Sequence, residues 1–171
     1  DTAFVTIVIP EPPTADLNAP DVCLGVETVL QNRTAGTAGD PVVSYEWYIP
    51  AGNPTTANTS SARTFFSSPG IHDVRLIAVS QSGCRDTVSG QALVYRPPVP
   101  ELNGSQEVCV PFCTPFFESS SSQDGQLVRW DWRFQGGTPS EFHGRQPDQI
   151  CYQSPGTYEV ELTVESDKGC Q

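Results

Sequence analysis

The stretch SPGTYEVELTVESDKGC, residues 154–170, occurs a second time as SPGIHDVRLIAVSQSGC at residues 68–84. In both copies apolar and polar side chains alternate along the chain. The apolar face consists of Tyr158, Val160, Leu162 and Val164 in one copy and of Val74, Leu76 and Ala78 in the other. A period of two is typical of a β-strand with one buried face. The doubled stretch therefore predicts the same inner strand in two copies of one unit.

The likeness between the two halves extends well beyond this strand. SYEWYIPAGNPT at 44–55 aligns with RWDWRFQGGTPS at 129–140, and residues 1–23 align with 86–109. Residues that align in this way, 85 or 86 positions apart, are called counterparts below. Internal repetition of this length predicts a tandem array. The predicted parts are the last strand of a preceding repeat plus a linker (1–13), a first repeat (14–96), and a second repeat that lacks its last strand (97–171).

The short alternating segments are separated by clusters of Gly, Pro, Ser and Asn, and no segment has a helical period. This pattern predicts an all-β fold, with a β-sandwich favoured over a closed barrel. Trp47 and its counterpart Trp132 lie on inward strand faces and, with Tyr158, are predicted to belong to the core. Trp130 is predicted to be partly buried, although an exposed indole at that position would suit stacking on a sugar.

The second half carries the motif W-x-W-x-F-x-G-G-T-P at 130–139, followed by Y-x-x-P-G-T-Y-x-V-x-L-T-V at 152–164. These residues resemble the PKD (polycystic kidney disease) domain. The closest resemblance is to the form found in tandem on large surface and secreted proteins of Bacteroidota, including gliding-type adhesins. The resemblance implies tandem immunoglobulin-like sandwiches of about seven strands, used as spacers or binding modules. The first half departs from it, with Ile49-Pro50-Ala51-Gly52 in place of 134–137 and His72 in place of Tyr158.

The composition restricts the partners and the compartment. The formal net charge of −11 argues against nucleic acid and anionic lipid, which both select basic surfaces. No apolar run reaches 18 residues, so no membrane insertion is predicted for this segment. Six cysteines without a CxxC pair, beside two histidines, indicate disulfides rather than zinc. Disulfides in turn predict an extracellular or cell-surface protein.

The strand order that the resemblance implies suggests how the cysteines pair. It places Cys113 next to Cys151, at one end of the second repeat. Cys23 and Cys109 are expected at that end of their repeats, and Cys84 and Cys170 at the other. Bonds within each repeat, Cys23–Cys84 and Cys109–Cys170, would then span about 30 Å, a strand length, which is too far for a disulfide. Two arrangements stay open: these bonds within repeats, or a Cys23–Cys170 bond between adjacent repeats that leaves Cys84 and Cys109 for neighbouring copies.

Sequence motifs for catalysis are absent, since neither a nucleophile elbow, a HExxH pair nor a phosphate loop occurs, and His72 and His143 have no partner motif. We therefore expect no enzyme activity and no cofactor. Calcium is the one weak candidate, because Asp16, Asp21 and Asp40 fall in predicted loops and carboxylate oxygens suit it.

Glycosylation has some support in the sequence. Asn32, Asn58 and Asn103 begin N-glycosylation sequons. Thr2 and Thr87 follow an aspartate at equal positions in the alignment, and they resemble the O-glycosylation motif of Bacteroidota.

Together these features predict a non-catalytic segment of a long secreted cell-surface filament or adhesin stalk. Its partners would be neighbouring repeats of the same chain, with polysaccharide or a protein ligand bound at a distant tip. The alternative is a carbohydrate- or protein-binding accessory module of a secreted hydrolase.

Overall fold

The computed structural model describes residues 1–105 and 107–171, and these residues form strands and loops without a helix. The chain divides into two compact units, Asp1–Val94 and Tyr95–Gln171. No helix in the described part is long and apolar enough to cross a membrane. The predicted all-β fold of the immunoglobulin-like sandwich type is confirmed.

Unit 1 is a sandwich of two antiparallel sheets, in the orders β1-β3-β7-β5 and β2-β9-β8-β4-β6. Its strands are β1 (Leu17–Asn18), β2 (Val22–Cys23), β3 (Thr28–Asn32), β4 (Val42–Tyr48), β5 (Gly52–Asn53), β6 (Thr56–Ala57), β7 (Ser61–Phe66), β8 (Gly70–Ser80) and β9 (Arg85–Tyr95). The alternating residues of both sheets meet in one core around Leu30, Trp47 and Leu76. This is the arrangement that the period of two predicts.

The longest pairing in unit 1 joins β8 to β9, in register from Gly70 opposite Val94 to Val79 opposite Arg85. Every second residue of β9 points inward, so that Ala92 and Val94 enter the core. Between them and the turn lies Gly90, where a Cβ atom would come within 2.6 Å of the Leu17 side chain. The inner strand β8 is thus paired on both sides, with β4 and with β9.

Unit 2 has the same kinds of elements in shorter pieces. Its strands are β10 (Leu102–Gly104), β11 (Cys113–Thr114), β12 (Phe116–Glu118), β13 (Leu127–Phe134), β14 (Gly137–Thr138), β15 (Glu141–His143), β16 (Ile150–Tyr152) and β17 (Val160–Ser166). They form sheets in the orders β10-β12, β11-β16-β14 and β15-β13-β17. The core lies around Trp132, Phe134 and Ile150. Both units have a bulge near the start of the Trp-bearing strand, between Val42 and Ser44 and between Leu127 and Arg129.

A proline explains why unit 2 lacks the counterpart of the continuous strand β3. Pro115 stands between β11 and β12, where unit 1 has Val29. Because proline has no amide hydrogen, it interrupts the pairing with a neighbouring strand. Consequently β11 pairs with β16 over only two residues, Cys113 opposite Cys151 and Thr114 opposite Ile150.

The segment 96–101 at the start of unit 2 contains three prolines and makes no strand, yet its amide groups are bonded. The amide of Arg96 donates to Asp124 Oδ2 (2.7 Å), that of Val99 to the Ser121 carbonyl (2.8 Å), and that of Glu101 to Ser120 Oγ (3.0 Å). The Arg96 guanidinium also pairs with Asp124 at 3.0 Å. The segment is therefore held by hydrogen bonds from every residue that has an amide hydrogen.

Two of the sequence-based predictions concern Tyr158 and residues 1–13. The predicted inner strand of unit 2 begins at Val160, so Tyr158 precedes it and is half-buried at the edge of the core rather than inside it. Residues 1–13 make no strand here, and the side chains of residues 1–9 are exposed. That they end a preceding repeat stays a prediction.

Candidate functional site

Unit 2 contains a groove of about 960 Å³ next to the start of β17. Its apolar walls include Leu102, Phe116, Tyr152, Tyr158 and Val160. Residues 154–158 also line it, together with Val160, the first residue of β17, and β17 pairs with β13 alone within the described residues. The segment that contains Val108 and Cys109 lines it as well. We call this feature the edge groove.

The same place in unit 1 is filled by β9. The counterparts of Phe116, Tyr152 and Val160 are Leu30, Phe66 and Val74, and all three are buried in one core with Ala92 and Val94 of β9. In unit 2 the exposure is greater: Leu162 is 7% exposed, whereas its counterpart Leu76 is 0% exposed. The edge groove of unit 2 thus lies at the position that β9 occupies in unit 1.

Two aromatic rings line the edge groove. Tyr152 and Tyr158 stack with their centroids 4.7 Å apart, and the Tyr158 hydroxyl donates to the Ser154 carbonyl at 2.9 Å. Burial, followed by the neighbouring Tyr158, raises the pKa of Tyr152 above 10.0. The Tyr152 hydroxyl therefore stays protonated at neutral pH and adds no charge to the groove wall.

A second, smaller cleft of about 480 Å³ surrounds Trp130. It is lined by Arg129, Trp130, Asp131, His143 and Arg145. Its polar groups face one another: Asp131 forms an ion pair with Arg129 Nε at 2.7 Å and a hydrogen bond with His143 Nδ1 at 2.6 Å. The Arg145 guanidinium lies over the indole, 5.8 Å from the ring centroid. Trp130 is half-buried, as predicted from its strand position, and we call this feature the Trp130 cleft.

The wall of the Trp130 cleft is anchored by a buried acid that the sequence did not single out. The side chain of Glu118 is 2% exposed and accepts a 2.5 Å bond from Arg145 Nε. Burial alone would raise the pKa of Glu118, but the hydrogen bonds from Arg145 and Ser120 outweigh it and lower the pKa below 4.5. Glu118 is therefore ionised at neutral pH and holds the loop of Arg145 against β12.

The cysteines are in two states. Cys113 and Cys151 form a disulfide with their Cα atoms 3.9 Å apart. Cys23 and Cys170 are also disulfide-bonded. Within the described residues Cys84 and Cys109 are free thiols. Cys84 Sγ lies 3.9 Å from the Pro10 carbonyl oxygen, and Cys109 lines the edge groove.

The three aspartates considered for calcium are not brought together, since the described residues contain no group of three potential metal ligands. Asp40 is buried rather than solvated in a loop. Its carboxylate accepts hydrogen bonds from Ser80 Oγ (2.6 Å), the Ser82 amide (2.8 Å) and the Ser82 hydroxyl. These bonds from Ser80 and Ser82 lower the pKa of Asp40 below 3.8. Asp40 is thus occupied in holding the turn between β8 and β9.

The candidate glycosylation residues lie on surfaces. Thr2, Thr87, Asn58 and Asn103 are exposed and Asn32 is half-exposed. The aspartate before Thr87 has a structural role: the Asp86 carboxylate accepts the amides of Ala15 (2.7 Å) and Thr87 (2.8 Å), which lower its pKa below 3.8. Glycosylation at the five positions stays a prediction.

The two core tryptophans are positioned alike. Trp47 and Trp132 are each 1% exposed. Each indole donates one hydrogen bond to a loop carbonyl, of Thr59 at 3.0 Å and of Gly144 at 3.1 Å respectively. His72 stacks on Phe66 with the ring centroids 4.6 Å apart, and His143 belongs to the Trp130 cleft. Trp47, Trp132 and His72 thus contribute to packing, and His143 forms part of the wall of the Trp130 cleft.

Comparison with known proteins gives a family match for the second unit. A family model described as PKD domain matches residues 95–171. Domains of this kind and related immunoglobulin-like sandwiches are typically non-catalytic. No curated protein matches the chain.

Among solved structures, the chain is similar to the PKD1 domain of the Vibrio cholerae metalloprotease PrtV, with 23% identity, 49% of this chain and 98% of that chain covered, and a TM-score of 0.42. The PKD1 domain of Vibrio anguillarum Epp is 20% identical, with coverages of 51% and 98% and a TM-score of 0.44. The fibronectin(III)-like modules of Clostridium thermocellum CbhA are 16% identical, with coverages of 92% and 87% and a TM-score of 0.43.

Proposed function

From the PKD-like domain at residues 95–171, we propose that the chain is a non-catalytic segment of a long secreted cell-surface filament or adhesin stalk. In this proposal two tandem PKD-like repeats act as spacers that hold a ligand-binding tip away from the cell. Bacteroidota-type adhesins are the class of protein that the sequence motifs favour. The partners are then neighbouring repeats of the same chain.

The observation that carries this proposal is the likeness of the Trp-bearing strands and of the turns after β8 and β17 in the two units. The Trp-bearing strands β4 and β13 share a bulge, a buried indole and its bond to a loop carbonyl. The turns after β8 and β17 also match, since the amides of Ser80 and Ser166 each donate to the carbonyl of the cysteine four residues later. Repetition of one sandwich is how extended proteins gain length from small domains.

The disulfide states support a covalent link between neighbouring repeats. We propose that Cys23 and Cys170, which are both disulfide-bonded, are bonded to each other. Such a bond at each junction would restrain bending of a stalk, together with the Pro-rich segment 96–101. Disulfides and the acidic surface also support an extracellular location.

Peptide mass mapping of the unreduced protein tests this proposal. A crosslinked peptide that contains Cys23 and Cys170 is expected, beside one that contains Cys113 and Cys151. Bonds of Cys23 with Cys84 and of Cys109 with Cys170 would contradict a stapled stalk and leave independent domains on a flexible chain.

The alternative function, a carbohydrate-binding accessory module, is favoured by one feature, the Trp130 cleft. Its half-buried indole and its polar groups, which include Asp131 and His143, are of the kinds that contact sugars. Affinity electrophoresis in gels that contain soluble plant or bacterial polysaccharides decides between the two functions. A stalk segment is expected to migrate unretarded, whereas retardation that Trp130→Ala abolishes would replace the stalk proposal by the binding module.

A further inference from the structure

The Trp130 cleft gathers positive charge in a chain that is acidic as a whole. The formal net charge is −11, with nine Lys and Arg residues against 20 Asp and Glu. Two of the nine cationic residues, Arg129 and Arg145, line the same cleft, and their side chains are 59% and 71% exposed. A local excess of cations attracts an anion where the rest of the surface repels it.

Both guanidinium groups use one nitrogen to hold their position and keep the others for a ligand. Arg145 Nε donates to Glu118 at 2.5 Å, and Arg129 Nε lies 2.7 Å from Asp131 Oδ2. Arg129 Nη1 is 3.7 Å from a Glu165 carboxylate oxygen, which is too long for a hydrogen bond. Within the part of the chain that the structure describes, neither arginine donates a hydrogen bond from its Nη atoms. These atoms carry four of the five N–H donors of a guanidinium group.

The loop that carries Arg145 is fixed on both sides of this residue. The Gly144 amide donates to the Trp130 carbonyl at 3.0 Å, and Gln146 Nε2 donates to the Phe116 carbonyl at 2.5 Å. The bond from Arg145 itself goes to a carboxylate that is 2% exposed. A ligand that binds to a group held in this way loses less entropy than one that must first order a mobile side chain.

The acceptors of the cleft are already in use, which favours a carboxylate over a neutral sugar. Asp131 is bonded to Arg129 and His143, and Glu118 accepts from Arg145 and from the Ser120 amide. A sugar hydroxyl both donates and accepts hydrogen bonds, whereas an ionised carboxylate only accepts. The Arg145 guanidinium also lies over one face of the half-buried indole, so that face is not free to stack on a sugar ring.

The polar residues of the cleft are not part of the framework that the two units share. The buried tryptophan of the central strand is present in both units, as Trp47 and Trp132. The polar side chains around Trp130 have different counterparts in unit 1: Ser44 for Arg129, Asn58 for His143, Ser60 for Arg145 and Asn32 for Glu118. The sandwich thus forms in unit 1 without these groups, and their presence in unit 2 calls for a role other than folding.

We propose that the Trp130 cleft binds an acidic peptide segment of another protein. Carboxylates of aspartate or glutamate side chains in that segment accept hydrogen bonds from the Nη atoms of Arg129 and Arg145. Charge-assisted bonds of a guanidinium group to a carboxylate are short, and they are frequently formed in pairs. The proposal goes beyond the stalk function and does not depend on it, since a spacer domain can also carry a docking site.

Fluorescence anisotropy with a labelled hexaglutamate peptide at low ionic strength tests the proposal, with labelled hexaglutamine as the uncharged control. Saturable binding is expected for hexaglutamate alone. Arg129→Gln should weaken it about tenfold, the usual effect of removing a charged hydrogen-bond partner.

The matched control is Arg133→Gln, which removes the same charge from the same strand β13 at a residue outside the cleft. Both arginine side chains are more than half exposed, at 59% and 72%, so neither change disturbs the fold. Arg133→Gln is expected to leave the affinity almost unchanged. No binding of hexaglutamate, or an equal loss of affinity in both variants, would overturn the proposal.

A competition experiment identifies the source of the carboxylates. Unlabelled hexaglutamate is expected to displace the labelled peptide at lower concentration than hexagalacturonate, a sugar chain with the same number of carboxylates. Arg145→Lys, which keeps a positive charge beside Glu118 but not the planar guanidinium, should weaken binding of the peptide without lowering the melting temperature. Stronger competition by hexagalacturonate would overturn the peptide in favour of an acidic polysaccharide, and unchanged affinity in Arg145→Lys would contradict the role of its Nη atoms. The disulfide map that tests the stalk function is independent of these results.

Discussion

The strands β8 and β17 carry the same alternating pattern, but they meet different surroundings. β8 is paired with a strand on each side, and the apolar face that it contributes to unit 1 is buried. β17 has β13 on one side and the edge groove on the other. The difference shows that a strand is central in its sheet when it has a paired strand on each side. The alternating residues of the strand itself specify only which of its faces is apolar.

Unit 2 also replaces pairing by a covalent bond. In unit 1, β3 and β7 are paired over four residues, from Thr28 to Gln31. In unit 2, Pro115 shortens the corresponding pairing to two residues, and the disulfide Cys113–Cys151 joins one of them. The counterpart of Cys113 is Glu27, which forms an exposed ion pair with Arg63. The two units thus hold the same strands together by different means.

The largest effect is expected from removing this disulfide. The double change Cys113→Ala and Cys151→Ala opens a loop of sequence separation 38, which should lower the free energy of unfolding of unit 2 by about 4 kcal/mol. Hydrogen exchange followed by mass spectrometry resolves the two units, and protection is expected to fall in peptides from 113–118 and 150–152. The matched change Glu27→Ala, which removes an exposed ion pair, should cost unit 1 about 0–1 kcal/mol. Equal losses of unfolding free energy in the two units would contradict this difference between them.

A smaller difference between the two units is expected from the matched leucines of β8 and β17. Leu76→Ala should lower the free energy of unfolding by about 4 kcal/mol and Leu162→Ala by about 2–3 kcal/mol, because a side chain beside an open groove leaves a cavity that water or neighbouring residues can fill. Urea unfolding monitored by tryptophan fluorescence measures both values. If Leu162→Ala proved the costlier change, the groove would not be open in solution.

The smallest effect concerns the turns that follow β8 and β17. Ser80 Oγ donates to Asp40, whereas the buried Ser166 Oγ has no hydrogen-bond partner among the described residues. Ser80→Ala should therefore destabilise unit 1, and Ser166→Ala should leave the melting temperature of unit 2 unchanged or slightly raised. Thermal melts of the two single variants test this prediction. A clear decrease in melting temperature with Ser166→Ala would show that the Ser166 hydroxyl is hydrogen-bonded in solution.

Asp40 makes the same turn sensitive to pH. Because the folded state lowers the pKa of Asp40 below 3.8, its contribution to stability is complete above that value and is lost as the pH falls through the lower folded pKa. The difference in melting temperature between the unaltered chain and Asp40→Asn is thus expected to be greatest near neutral pH and to narrow below pH 3.8. A difference that stayed constant down to pH 2 would show that the carboxylate charge does not matter.

The sequence predicted those features that depend on local alternation. The all-β fold, the inner strands and the inward position of Trp47 and Trp132 all follow from a period of two and from turn residues. Pro115 could have been recognised as well, since a proline inside a strand pattern signals an interrupted or edge strand.

Features that depend on distant contacts could not be predicted in this way. Asp40 looked like one more acid in a loop, because its partners Ser80 and Ser82 are far along the chain. The Arg145–Glu118 pair and the edge groove likewise arise only when separate elements come together.

The bonded amides of segment 96–101 have a consequence for degradation. Many proteases bind the substrate backbone as an added strand and therefore need free amide groups. In this segment the prolines have no amide hydrogen, and those of Arg96, Val99 and Glu101 are already committed. We expect limited proteolysis to cut first within residues 1–13, while the junction at 96–101 survives. In a protein exposed to proteases, residues 1–13 would then be cut before the segment 96–101.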